Sequence, residues 1–237
     1  MPFFDDTGIR EEIDRGPFWS AFATFGGQLE RMIALNMAWA LQLAPALLAM
    51  LLINAPDLIR LLLILYTAAI IPLATMTLYA MIRRATEGNP VDFGLIRELL
   101  GQFLVPSYRT FAPLLGFLGF MLWIINTANN ADLFFVSVLL QLILLLLLTS
   151  ANYWGAVLID HPQWSAPAVI WHSLKLVWRY PGRSLLVSGA VLLAVILGAI
   201  SVGGLVLAVP VIITLLQTQM YLALIRKRRS AQPVKKV

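Results

Sequence analysis

The chain contains no cysteine, which excludes disulfides, thiol catalysis and thiolate metal sites from the outset. Charge is almost as scarce. Only 12% of the 237 residues are Asp, Glu, Lys or Arg, about half the share of a soluble protein. Apolar residues make up 60%, and the mean hydropathy is +0.83. A composition of this kind points to a chain mostly embedded in lipid, where a single helical bundle accounts for the whole length. The net charge of +5 lies beside apolar segments, where it sets orientation and attracts anionic headgroups, so no nucleic-acid partner is expected. Residues 1–31 hold three Arg and six Asp or Glu, without an apolar signal core or a cleavage site. The first membrane helix is therefore expected to direct insertion itself.

What the sequence does have is apolar length. Six segments, at about 32–53, 58–82, 111–128, 133–159, 185–201 and 205–225, each suffice to cross a hydrocarbon core of roughly 30 Å. The expected organisation is a cytoplasmic N-terminal segment 1–31, a six-span domain 32–225 and a basic tail 226–237. Cut this way, sixteen of the seventeen Lys and Arg residues fall on one side, and only Arg60 falls on the other. Short loops retain Lys and Arg in the cytoplasm, so both termini are expected on the cytoplasmic face of a bacterial inner membrane. Arg60 sits at the outer edge of the second span, where its long side chain can snorkel. Tight outer turns rich in Asn, Asp, Pro and Gly, at 54–57, 129–132 and 202–204, make three hairpins of the six spans.

The inner connections carry helical periodicity. Phe93, Ile96, Leu99, Leu100, Phe103 and Leu104 share one face of residues 91–104. Ile170, Trp171, Leu174, Val177 and Trp178 do the same in 166–180, and Phe18, Trp19, Phe22, Phe25 and Leu29 in 17–29. This i, i+3, i+4, i+7 spacing predicts three amphipathic helices lying along the inner leaflet. The fold class is thus all-α: six transmembrane helices in three hairpins, with interfacial helices between them. A faint echo accompanies the plan, because Thr75 and Tyr79, Thr149 and Tyr153, and Thr218 and Tyr221 recur at the inner ends of the even spans. An aromatic belt is the simpler explanation of the tyrosines, and a shared functional motif is the other.

Two short stretches carry a resemblance. Leu35-Asn36-Met37-Ala38-Trp39 with Pro45, and Pro72-Leu73-Ala74-Thr75-Met76-Thr77-Leu78-Tyr79 followed by Arg83, resemble the YesL family of bacterial membrane proteins. So do Gly88, Asp92 and Phe93 in the linker, and Ser173-Leu174-Lys175 with Arg179-Tyr180-Pro181 further on. The resemblance implies a domain of unknown function often associated with carbohydrate uptake, and hence a transport-associated role.

No acidic residue, Lys or His falls near the middle of a span, which argues against a pump or a proton-coupled carrier. His161 and His172 lie at the inner interface, and the pair Asp160-His161 lacks a third ligand, so it reads as solvated loop rather than metal site. No serine or threonine has a His and an acid nearby in sequence, and neither an enzyme nor a cofactor protein is expected. The remaining candidates are uncharged: Asn36, Gln42, Thr75, Thr77, Thr149, Gln141, Asn152, Gln217 and Gln219. Within lipid these must turn inward, either to cross-link helices or to line a polar pocket. Pro45, Pro72 and Pro210 are expected to kink the first, second and sixth spans. Arg83, Arg84, Arg226, Lys227, Arg228 and Arg229 are candidate contacts for anionic lipid headgroups. The sequence supports an accessory or assembly subunit of a larger membrane complex, with a membrane protein as partner. The alternative is a passive carrier for a neutral polar solute such as a sugar, which would require the span amides to converge on one cavity.

Overall fold

The computed structural model describes residues 16–52, 56–200 and 208–230. The expected outer turn at 202–204, the first half of the turn at 54–57, residues 1–15, the start of the sixth span and the tail beyond Ser230 lie outside the described residues. All regular structure among the described residues is helical: α1 Pro17–Gly27, α2 Leu29–Ala40, α3 Ala44–Leu51, α4 Asp57–Thr86, α5 Ile96–Pro106 and α6 Ala112–Asn130. There follow α7 Phe134–Ala151, α8 Trp154–Asp160, α9 Ala166–Arg179, α10 Pro181–Ile200 and α11 Val209–Ser230. Six stretches are long and apolar enough to cross a membrane: Leu29–Leu51, Asp57–Thr86, Phe93–Asn130, Phe134–Ala151, Pro181–Gly198 and Val209–Lys227. The chain is an all-α membrane protein. Its three hairpins pair α3 with α4, α6 with α7, and α10 with α11.

Prolines shape the spans less uniformly than their positions suggest. A 3₁₀ turn, Leu41–Leu43, joins α2 to α3, and Pro45 enters as the second residue of α3, where no helical bond is lost. Pro210 is likewise second in α11, where no bond within that helix is lost. Pro72 alone of the three lies inside a helix. One position away from the Ala68 carbonyl that Pro72 deprives of its donor, the Tyr108 hydroxyl donates to the Ala69 carbonyl at 2.8 Å.

Two helix ends close with the same backbone device. Gly88, at φ 85°, lets Asn89 N–H reach the Arg84 carbonyl and its own N–H reach that of Ala85, both at 3.1 Å, with Pro90 blocking continuation. At the opposite end of the bundle, Asp132 adopts φ 55°, and Leu133 N–H bonds the Ala128 carbonyl at 3.0 Å. That left-handed residue turns α6 into α7. Nearby, the isolated cation Arg60 donates to the Ala49 carbonyl near the end of α3 at 3.3 Å, where the helix dipole favours positive charge.

Two spans differ from the sequence expectation. The helix at 91–104 does not lie apart from the third span, because a single π turn, Ser107–Phe111, fuses α5 to α6. The fused stretch Phe93–Asn130 runs 38 residues, or about 57 Å, nearly twice a hydrocarbon core. Pro106 and Pro113 flank the π turn, where the missing N–H groups are absorbed by its wider register. Thr110 and Arg109 in that turn donate to the carbonyls of Trp164 at 2.8 Å and Pro162 at 3.2 Å, tying down the segment before α9. The fourth span, expected over 133–159, instead stops at Ala151. Asn152 and Tyr153 form a turn, and α8 leaves at a new angle.

The packed core sits at the end of the bundle that carries the basic residues. It is built from the last turns of α4, from α8, from one face of α9 and from α11, with Met76, Met81, Ile82, Trp154, Leu158, Leu215 and Leu224 at its centre. In α11, 61% of the spanning window is buried, against 22% in α7 and 17% in α10. α11 is therefore the axis of the bundle, packed by α1, α4 and α10. Toward the opposite end α4, α7 and α10 present Leu, Ile, Val and Phe outward, as helices in hydrocarbon do.

The surface helices are two-sided. α1 packs Phe18, Ala21 and Phe25 into the bundle against α11 but leaves Trp19 and Phe22 exposed. α9 buries Val169, Ser173, Leu176 and Val177. The two tryptophans of the predicted amphipathic face, Trp171 and Trp178, are exposed at 62% and 88%, while Val177 of that face is buried. An amphipathic period identifies a face but not which of two apolar faces meets protein and which meets lipid.

Candidate functional site

Asn152 stands where the fourth span breaks, and its side chain organises the polar interior. Its Nδ2 donates to the Thr149 carbonyl at 3.2 Å and to Ser188 Oγ on α10 at 2.8 Å. Its Oδ1 accepts from Gln217 Nε2 on α11 at 3.0 Å. The Gln217 carbonyl oxygen in turn accepts from the Tyr79 hydroxyl on α4. Ser188 donates onward to the Ser184 carbonyl at 3.0 Å, and the Ser184 hydroxyl shares a 2.8 Å hydrogen bond with Tyr153. Four helices are thus joined by one buried relay of neutral groups. The Asn152 amide and the Tyr79 and Ser188 hydroxyls each donate to an acceptor, which is what a polar network in a low-dielectric interior requires.

Tyr79 reaches Gln217 because Gly155 lies beneath its ring. A Cβ at position 155 would overlap the Tyr79 ring carbons. The three tyrosines of the sequence echo do not form an aromatic belt: Tyr79, Tyr153 and Tyr221 are all buried in the core. The exposed interface aromatics are instead Trp19, Trp171 and Trp178.

The other polar candidates are spent separately. Asn36, fully buried on α2, accepts the Val211 N–H at 2.9 Å. It thereby caps from a distance one of the first-turn donors that α11 cannot satisfy itself. Asn36→Leu is expected to cost about 1 kcal/mol, because it leaves that N–H buried without an acceptor. Faster hydrogen exchange confined to the first turn of α11 would register the loss, and unchanged exchange there would contradict it. Trp39 Nε1 donates to Thr75 Oγ1 at 3.1 Å, Thr77 bonds the Leu73 carbonyl at 2.9 Å, and Thr149 bonds the Leu145 carbonyl at 2.8 Å. Gln42 folds back on the Ala38 carbonyl at 3.2 Å, beside a mostly apolar cleft of about 230 Å³. Gln141 lies at the far end of the bundle, donating to Ser137 at 3.2 Å, and Ser137 bonds Asn129 across the α6–α7 hairpin. Gln219 is half-buried on α11. Among the described residues, Asn36, Gln42, Gln141 and Gln217 are therefore held by separate partners rather than gathered at one point. Ser184 and Ser188, which complete the relay, had only their i, i+4 spacing on one face of the fifth span to announce them.

A second polar place opens at the basic end, between α9 and α11, with a volume of about 660 Å³. Arg83, Lys175 and Arg179 border it, opposed by the single carboxylate Asp160. Asp160-His161 is not a solvated loop but part of this wall. Asp160 lies 3.5 Å from Arg83, which also pairs with Glu87 at 2.8 Å, and the His161 ring stacks on Trp164 with centroids 4.0 Å apart. Of the candidate lipid contacts, Arg83 is held in these ion pairs, while Arg84, Arg226 and Lys227 are exposed at the helix ends. Arg228 and Arg229 continue α11, but their side chains lie outside the described residues.

Comparison with protein-family models, with curated proteins and with solved structures finds no match for this chain.

Proposed function

We propose that the chain is an accessory or assembly subunit of a transport-associated membrane complex, acting by docking and without catalytic chemistry of its own. The observation that carries this reading is the fate of the polar groups inside the spans. Tyr79, Gln217, Asn152 and Ser188 are consumed in cross-linking helices, and Asn36 is consumed in capping α11, so that among the described residues these groups are spent on packing. Groups held this way give a bundle a unique packing. The exposed apolar faces of α7 and α10 fit either lipid or the helices of another membrane protein.

The proposal includes a bacterial cytoplasmic membrane and both termini in the cytoplasm, since the basic end gathers Arg31, Arg83, Arg109, Lys175 and Arg226. It also includes kinship with the YesL family. In support, the Asn-Met-Ala-Trp and Pro-Leu-Ala-Thr stretches that carry the resemblance are joined here by the Trp39–Thr75 hydrogen bond.

Purification from native membranes in a mild detergent, followed by mass spectrometry of what accompanies the protein, tests the reading. A membrane-protein partner in stoichiometric amount is expected. Recovery of the chain alone, together with solute flux through it in liposomes, would overturn the subunit reading in favour of a carrier. Cysteines introduced at either terminus of this cysteine-free chain should resist labelling from outside the cell.

A further inference from the structure

We propose that the pocket between α9 and α11 receives a phosphate group, either on an anionic phospholipid or as soluble phosphate. The site is electropositive in a specific way. Arg83 is occupied by Glu87 and Asp160, but Lys175 and Arg179 have no carboxylate within ion-pair distance among the described residues. They lie one turn apart on α9 and rest against aromatic rings, Lys175 5.0 Å from the centroid of Trp171 and Arg179 5.8 Å from that of Tyr180. Two cations held beside one another in a recess of this kind match the multiple acceptor oxygens of a phosphate, and the planar fork of Arg179 suits two of them at once.

A second observation points the same way. Tyr221 borders the pocket with its side chain wholly buried, and its hydroxyl has no hydrogen-bond partner among the described residues. The Asp160 carboxylate is the acceptor that approaches this hydroxyl, at the margin of a hydrogen bond and already engaged by Arg83 at 3.5 Å. A buried hydroxyl left in this state calls for an acceptor, and a phosphate oxygen held by Lys175 and Arg179 supplies one. The location agrees as well. Trp171 and Trp178 project from the same helix with exposures of 62% and 88%, the placement of side chains that seat a helix at headgroup level. The inference is independent of the subunit reading, because a pocket for phosphate can exist whether or not a protein partner does.

The test uses the full-length protein in a neutral sugar detergent and native mass spectrometry. Phosphatidylglycerol, phosphatidylcholine and inorganic phosphate are titrated separately. Because hydrogen bonds to charged groups contribute more than neutral ones, Lys175→Gln with Arg179→Gln is expected to weaken phosphatidylglycerol retention about tenfold or more. Tyr221→Phe, which removes only the unpartnered hydroxyl, is expected to weaken it about threefold with no loss of thermal stability. Arg97→Gln, an exposed charge outside the pocket, should leave retention unchanged. Binding of phosphatidylglycerol alone with this dependence identifies the lipid as source, and binding of inorganic phosphate with the same dependence identifies the soluble ion. If retention of both probes survives the double substitution, or if Arg97→Gln lowers it equally, the pocket is not a phosphate site.

Discussion

Gly155→Ala is expected to destabilise the protein by about 2 kcal/mol, although alanine is the better helix former. In an exposed helix the exchange would gain about 1 kcal/mol. Here the added methyl meets the Tyr79 ring, which lies directly on the α8 backbone. Overpacking of a tight core costs roughly 1–3 kcal/mol, and this instance carries a further penalty. The ring cannot retreat without pulling its hydroxyl off Gln217, which stands in the relay through Asn152. Steric and polar losses therefore arrive together. Unfolding in mixed micelles measures the sum, and a double-mutant cycle assigns it. Tyr79→Leu should recover most of the loss by vacating the space, whereas Tyr79→Phe, which keeps the ring, should recover almost none. If Gly155→Ala proved as stable as the parent, the close approach of α4 and α8 described above would be wrong.

That contact also shows where the sequence stops being legible. The spans follow from a local quantity, apolar run length, and six stretches long and apolar enough to cross a membrane are found among the described residues. The interior is decided by distant partners. Nothing between residues 140 and 160 interrupts the apolar pattern as a proline would, so the sequence reads as one span. The break at Asn152 depends on Ser188 and Gln217, which lie 36 and 65 residues away. The same limit applies to the tyrosines. A tyrosine near a span end suits the headgroup region and suits a core with a polar partner equally well. Gln217 and Ser184 select the core for Tyr79 and Tyr153, and neither pairing leaves a mark in local composition. On α9 the apolar residues divide between two faces: Val169, Leu176 and Val177 turn into the bundle, while Trp171 and Trp178 are exposed, where their rings suit the wet edge of a bilayer.

The fused α5–α6 helix follows a different rule. Pro106 and Pro113, seven residues apart in sequence, read as a boundary between a surface helix and a span. The π turn between them keeps the backbone continuous, and its widened register frees Thr110 and Arg109 to hold the carbonyls of Trp164 and Pro162. The turn thus docks the segment that leads into α9, and with it one wall of the basic pocket. A prediction scheme that treats proline only as a terminator misses this second use.

Asn152→Leu is the substitution for which the largest rearrangement is expected, with a loss of about 2–3 kcal/mol. Interhelical hydrogen bonds in bilayers average about 0.6 kcal/mol, and two of them, to Ser188 and from Gln217, disappear. The remainder comes from Gln217 Nε2, which is left as a buried donor without an acceptor. The side chain also releases the Thr149 carbonyl, so leucine favours simple continuation of α7 through Tyr153. α8 would then have to leave its packing against α4, taking Asp160 away from Arg83. Spin labels at Ile159→Cys and Arg84→Cys, introduced into a chain with no other cysteine, report that separation directly. The distance should lengthen and broaden in the Asn152→Leu background. Ser188→Ala, which removes a single interhelical bond, should cost about 0.6 kcal/mol and leave the distance alone. Equal effects from the two substitutions would mean that the break is set by the backbone rather than by the amide, and the relay would then be a consequence of the fold instead of one of its causes.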